Sequence, residues 1–185
     1  DFIALLATDP DYQTTTTYLT TEQRKGWYDQ ELVLRFFAFK NEINSYVHEI
    51  GDFLTEYMER VSDSDHAEHL VFDYDSERQI FLKTFQIFQR SLGDRAFSRL
   101  NAKQTELADA FGIYHFEALT LGIQPILDQL SPDDAAQMER LADAIMSLKR
   151  EPDFIGMTKG GGKNTVGLLK RRVAFATEKL STVLA

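Results

Sequence analysis

The chain has 185 residues, 43% of them apolar and 26% charged, enough for one well-buried core and too few for two comfortable domains. Twenty basic residues against 29 acidic ones leave a formal charge of −9, so nucleic acid and anionic membrane surfaces are repelled by the molecule as a whole and any polyanion contact has to be local. Cysteine is absent, which excludes disulfides, thiolate zinc sites and thiol nucleophiles, and no apolar run approaches the roughly 18 to 20 residues of a membrane span.

No signal-peptide pattern opens the chain, so a soluble, cytoplasmic protein with no membrane partner is expected. With only four prolines and ten glycines, the composition suits long helices better than a turn-rich β architecture. The expected fold class is all-α, a bundle of about six to eight helices.

The opening Asp1-Phe2-Ile3-Ala4-Leu5-Leu6 lacks an initiator methionine and reads like the end of a helix stopped by Asp9-Pro10, the mark of a fragment of a longer polypeptide. Thr14 to Thr17 are β-branched and polar, which predicts a loop, and residues 1–27 are therefore read as a connector to the helical domain of residues 28–185. Asp29 is placed to cap a helix running to about Val47, with Leu32, Phe36, Phe39 and Ile43 at three- and four-residue steps. A short amphipathic helix follows from Gly51, marked by Phe53, Tyr57 and Val61. The acidic stretch between Ser62 and Asp75 is expected to stay wet, and a further helix from Ser76 carries Phe81, Phe85, Phe88 and Leu92 up to Gly93.

The next helix is predicted from about Asn101 to Leu121, with Gly112 inside it as a sign of close packing and Gly122 at its C-terminal cap. Ser131-Pro132-Asp133-Asp134 is a strong helix start, and Lys149-Arg150 before Pro152 place cations at that helix's C-terminus. After Gly160-Gly161-Gly162, a last helix begins near Asn164 or Thr165. Val166, Leu169, Val173, Ala176, Leu180 and Val183 give it a coiled-coil-like seam. No strand pattern of comparable length is seen.

Charge is unevenly spread. Residues 151–185 carry a local +3 and the first 150 carry −12, which makes the C-terminal helix the one basic element. Lys159 and Lys163 flank the glycine turn, and Lys170, Arg171 and Arg172 lie on the helix beyond it. They are candidates for phosphate or DNA-backbone contact, against the plainer reading of a flexible loop and a polar helix face. The P-loop spacing fails, because Met157 stands where its first glycine belongs and Asn164 replaces its hydroxyl residue. His66 and His69, three apart among carboxylates, have metal-ligand types, but a solvated acidic loop explains them as well. His48 and His115 sit in helical patterns without a nucleophile elbow and read as packing histidines. Arg35 stands between Leu34 and Phe36 on an apolar helix. It is either paired with a carboxylate or carbonyl that locks neighbouring helices, or presented to a phosphate.

The string Tyr28-Asp29-Gln30-Glu31-Leu32-Val33-Leu34-Arg35-Phe36-Phe37-Ala38-Phe39, followed by Asp52-Phe53-Leu54-Thr55-Glu56-Tyr57-Met58, resembles the helices that follow the ParB-like domain in GmrSD-type proteins (domain of unknown function 262). Leu92-Gly93-Asp94-Arg95-Ala96-Phe97, Asn101 and the end from Phe154 to Arg172 also look like the helical half of that family's short members. The resemblance implies nucleotide-dependent, DNA-directed activity in bacterial anti-phage defence or restriction. The family's D-G-Q-Q-R nucleotide-handling motif is absent here, so no catalytic residue is carried over. This chain is then expected to be a non-catalytic accessory domain holding no cofactor, with a nucleoside triphosphate and divalent metal belonging to the parent protein. The implied partner is a ParB-like domain upstream in the same polypeptide, with residues 1–27 as its tail. DNA bound through the basic C-terminal helix, and a second copy of the chain joined through the seam, are the alternative partners.

Overall fold

The computed structural model describes residues 2–47 and 49–184. Asp1, at the head of the opening stub, and His48, read as a packing histidine, lie outside the described residues. The fold is mostly helical, but not purely all-α: one small antiparallel hairpin interrupts it.

Residues expected to connect are instead folded. Helices α1 (Phe2–Ala7), α2 (Pro10–Thr15) and α3 (Thr21–Lys25) occupy this segment. Asp9-Pro10, read as a stop, is also a start. The Asp9 carboxylate accepts from the Tyr12 N–H at 2.9 Å, and Pro10 takes the first turn, where a missing N–H costs nothing. The threonines satisfy their hydroxyls on carbonyls one turn back, Thr14 on Pro10 and Thr16 on Tyr12, both at 2.8 Å. Burial completes what propensity lacks: Tyr12 is fully enclosed, its ring 4.9 Å from Phe85 and 5.4 Å from Phe81.

Helix α4 (Tyr28–Glu42) begins one residue before Asp29, which falls in its first turn; Trp27, in left-handed backbone at φ 59°, is the residue before it. It stops five residues short of Val47, because Tyr46 folds back to sit 5.3 Å from both Phe39 and Phe53. Helix α5 (Ile50–Ser62) and helix α6 (Tyr74–Leu92) fall where their stripes predict, and α6 is capped by Asp73 and ended by Gly93 at φ 58°. Phe81, Phe85 and Phe88 on α6 are all buried and carry the aromatic core between α2 and α4 on one side and Phe97 and Phe116 on the other.

The single helix predicted over 101–121 is corrected to strand β1 (Ser98–Leu100), strand β2 (Leu107–Phe111) and helix α7 (Ile113–Gly122). Leu100 pairs with Leu107 and Ser98 with Phe111. A four-residue spacing such as Leu107 to Phe111 suits one helix face and, being even, one strand face as well, so it could not decide between them. Local chemistry decides: the Asn101 side chain accepts from the Thr105 N–H, the Asn101 N–H donates to Glu106, and Gln104 takes φ 60°, which turns the chain back. Gly112 is thus a strand-to-helix junction, donating its N–H to the Phe97 carbonyl at 3.0 Å.

Close helix packing occurs at Gly122 instead. A Cβ there would lie 2.8 Å from that of Ala176 on helix α10 (Val166–Ser181), which is capped by Thr165 as predicted. Helix α8 (Ala135–Arg150) starts three residues later than Ser131 suggested, capped by Asp134. Pro152 ends α8 but also opens the short helix α9 (Pro152–Thr158), which periodicity did not reveal. On the seam, Leu169, Ala176, Leu180 and Val183 are buried, packed within this chain against α7 and α8.

Candidate functional site

Glu117, in the middle of the apolar α7, is buried and receives two guanidinium groups. Arg35 of α4 donates to its Oε1 at 3.1 Å, and Arg172 of α10 donates to its Oε2. Arg35 also holds Glu31 Oε1 through Nε and Nη2 at 2.9 and 2.7 Å, so two cations and two carboxylates balance. Arg172, with no exposed surface, donates further to the Lys163 carbonyl at 2.8 Å and stacks on Tyr114, 4.6 Å from the ring centroid. Charges this deeply removed from water persist only when paired, and here the pairing ties α4, α7 and α10 together.

The predicted basic set is therefore divided. Arg35 and Arg172 face inward; Lys170 donates to Asn44 Oδ1 at 2.9 Å; Arg171 is exposed; Lys163 lies at the turn that meets Arg172. Lys159 alone opens onto a cleft of about 710 Å³ enclosed by the hairpin, the start of α7 and the ends of α8 and α9. His66 and His69 belong to the exposed turn after α5, where His66 Nδ1 accepts from the Glu68 N–H and His69 Nδ1 lies 3.0 Å from the Asp63 carbonyl. Among the described residues no group of three or more histidines or carboxylates is placed to hold a metal ion.

Arg99, His115 and Lys149, which sequence reading did not nominate, join Lys159 in the cleft, and none of its lining residues is Asp or Glu. In a chain with 29 acidic residues that exclusion concentrates positive potential. Lys149 is 1% exposed, with Nζ donating to the Ala96 carbonyl at 2.7 Å, and burial pushes its pKa down to about 7. His115 is 6% exposed. Burial first, then the charges of Lys149, Arg99 and Arg172, lower its pKa to about 3, so the imidazole is neutral in the folded protein.

These shifts set two separate windows of pH-dependent stability, in both of which stability rises with pH. An unfolded chain takes a proton on His115 below about pH 6.5 while the folded one refuses it until about 3, so stability falls as pH drops through that interval, by about 5 kcal/mol at most. For Lys149 the unfolded chain keeps a proton that the folded one loses above about pH 7, so stability rises from there toward 10.5. Urea titrations of His115→Leu between pH 6.5 and 3 are expected to show a flatter acid limb than the parent protein, whatever the variant's stability at pH 8; equal slopes would refute the assignment.

A usable signal for the missed residues was present. Lys149 lies four residues after Ile145 on the apolar stripe of α8, and Glu117 is the lone carboxylate in an apolar run, as Arg35 is the lone cation in its own. No helix among the described residues is long and apolar enough to cross a membrane. Compared with known proteins, the chain matches no family model, no curated protein and no solved structure.

Proposed function

We propose that this chain is a helical accessory module of a GmrSD-like, nucleotide-dependent bacterial restriction or anti-phage protein, non-catalytic alone, that braces a ParB-like domain and its engagement of DNA. The observation that carries the reading is the Arg35–Glu117–Arg172 network. It joins the helix bearing the family-like string to the basic terminal helix through buried, charge-balanced contacts, the construction of a rigid prop. The second family-like stretch supports it from another side: the carbonyls of Arg95 and Ala96 hold Lys149, and Asn101 and Lys159 line the same cleft. Both parts of the resemblance therefore fall on the features that organise the molecule.

A terminal seam for self-association has less to offer, since its central residues already pack within the chain. A basic recognition face on α10 is weakened in the same way by the burial of Arg172. The test mixes the purified chain with nucleoside triphosphates, magnesium and plasmid, alone and with a ParB-like domain of a GmrSD-type protein supplied separately. The expected result is co-purification of the two proteins and intact nucleotide and plasmid with this chain alone. Robust hydrolysis or cleavage by the chain alone overturns the proposal.

A further inference from the structure

The cleft has the parts of an anion receptor, independently of the accessory-module reading. Helix α7 is ten residues long and starts at Ile113, after Gly112, which has no side chain to cap it. The N–H groups of Ile113 and Tyr114 find no acceptor among the described residues and sit at the cleft wall. Free N–H groups at the positive end of a helix favour a bound anion. His115, one turn in, is 6% exposed and lines the cleft, its ring makes no hydrogen bond among the described residues, and its nitrogens are not sealed from the cleft space. A ring nitrogen that opens only onto the cleft is free to pair with a ligand bound there. Gly112 keeps this corner tight: a Cβ there would lie 2.7 Å from His115 Nδ1.

Two further cations frame the opening. Arg99 and Lys159 line the cleft and make no side-chain ion pair or hydrogen bond among the described residues, while Lys149 adds an amine held only by neutral carbonyls. Gly160, at φ 90°, carries the chain away beside Lys159 without a side chain to obstruct entry. The space is far larger than one phosphate and falls in the size range of small-molecule pockets. Leu100, Phe111, Ile113 and Ile155 give part of its remaining wall an apolar surface, beside the polar Asn101, Gln104 and Thr158. A nucleic-acid strand suits it less well, because two free cations on a chain of net charge −9 cannot offset the repulsion of a polyanion.

We propose that this cleft binds the phosphate monoester of a small molecule with an apolar body, the phosphate received by the N-terminus of α7, Arg99 and Lys159, and the body lying against Phe111 and Ile155. The phosphate oxygens accept from the Ile113 and Tyr114 N–H groups, and His115 gains the partner it lacks.

Phenyl phosphate is a suitable probe, with inorganic phosphate, phenol and a duplex DNA lacking terminal phosphates as comparisons, each titrated into the full chain by NMR. Phenyl phosphate is expected to shift the Ile113 and Tyr114 amides and the His115 ring, to bind more tightly than inorganic phosphate, and to outcompete phenol. The exposed double variant Arg99→Glu/Lys159→Glu is expected to weaken it about tenfold or more, with the circular dichroism spectrum unchanged, while Lys170→Glu, outside the cleft, leaves it within about twofold. No shift at about 10 mM phenyl phosphate, or binding indifferent to the double variant, overturns the site. Equal affinity for inorganic phosphate overturns the apolar body. Salt-steep binding of the duplex through the same residues overturns the monoester in favour of a backbone contact.

Discussion

Glu117→Gln is expected to cost about 3 to 5 kcal/mol, a large fraction of the stability of a domain this size, and to leave the protein partly unfolded at room temperature. The glutamine keeps the shape and one acceptor oxygen but removes the charge, so Arg172, wholly buried, and Arg35, nearly so, lose the carboxylate they share. Glu31 still holds Arg35, whereas Arg172 is left with the Lys163 carbonyl, the face of Tyr114, and an Nε that already has no partner. Arg172 is thus the group that carries the penalty. Replacing all three at once, Arg35→Met/Glu117→Leu/Arg172→Met, removes the desolvated charges together and is expected to recover most of the loss. Urea unfolding of the parent, Glu117→Gln and the triple variant at pH 7 checks this. A triple variant no more stable than Glu117→Gln would mean that the network contributes more than its charge balance.

Gly122→Ala carries the second large effect. The added methyl would approach the Ala176 Cβ to 2.8 Å and the Thr177 nitrogen and Ala176 carbonyl carbon to 3.1 and 3.2 Å. Two of those three atoms are backbone, so relief requires α10 to move away from α7. Overpacking of this kind costs about 1 to 3 kcal/mol, and helix propensity returns somewhat less than 1 kcal/mol for exchanging glycine in the last turn. Net destabilisation of about 1 to 2 kcal/mol is expected from thermal unfolding, and Gly122→Val should exceed it. Because Glu117 and Arg172 span the same pair of helices, Gly122→Ala and Glu117→Gln are expected to be non-additive. A stabilised Gly122→Ala protein would show that the two helices have slack.

Helices whose apolar stripe spans several turns were legible in the sequence: α4, α5, α6, α8 and α10 lie within a few residues of where periodicity puts them. The hairpin was not, because Leu107 and Phe111 satisfy both periods and the deciding Asn101 turn acts through side-chain-to-backbone bonds that a stripe does not report. The threonine run was misread for a related reason, since the burial of Tyr12 outweighs the weak propensity of its neighbours. At the candidate site, Arg35 announced a buried partner but not which one. Its carboxylate lies 82 residues away, and only folding brings Glu117 beside it. The place of Lys149 on the apolar stripe of α8 signalled its burial, but that it and His115 share a cleft lined by no carboxylate is a property of three-dimensional neighbourhoods that no spacing encodes.

The chain holds one tryptophan, and it stands 69% exposed at the joint between α3 and α4. Its indole already emits from a largely aqueous setting, so melting of the core would move its fluorescence very little. Far-ultraviolet dichroism, or the tyrosine signal of the enclosed Tyr12, is the optical channel in which this protein's unfolding will be visible.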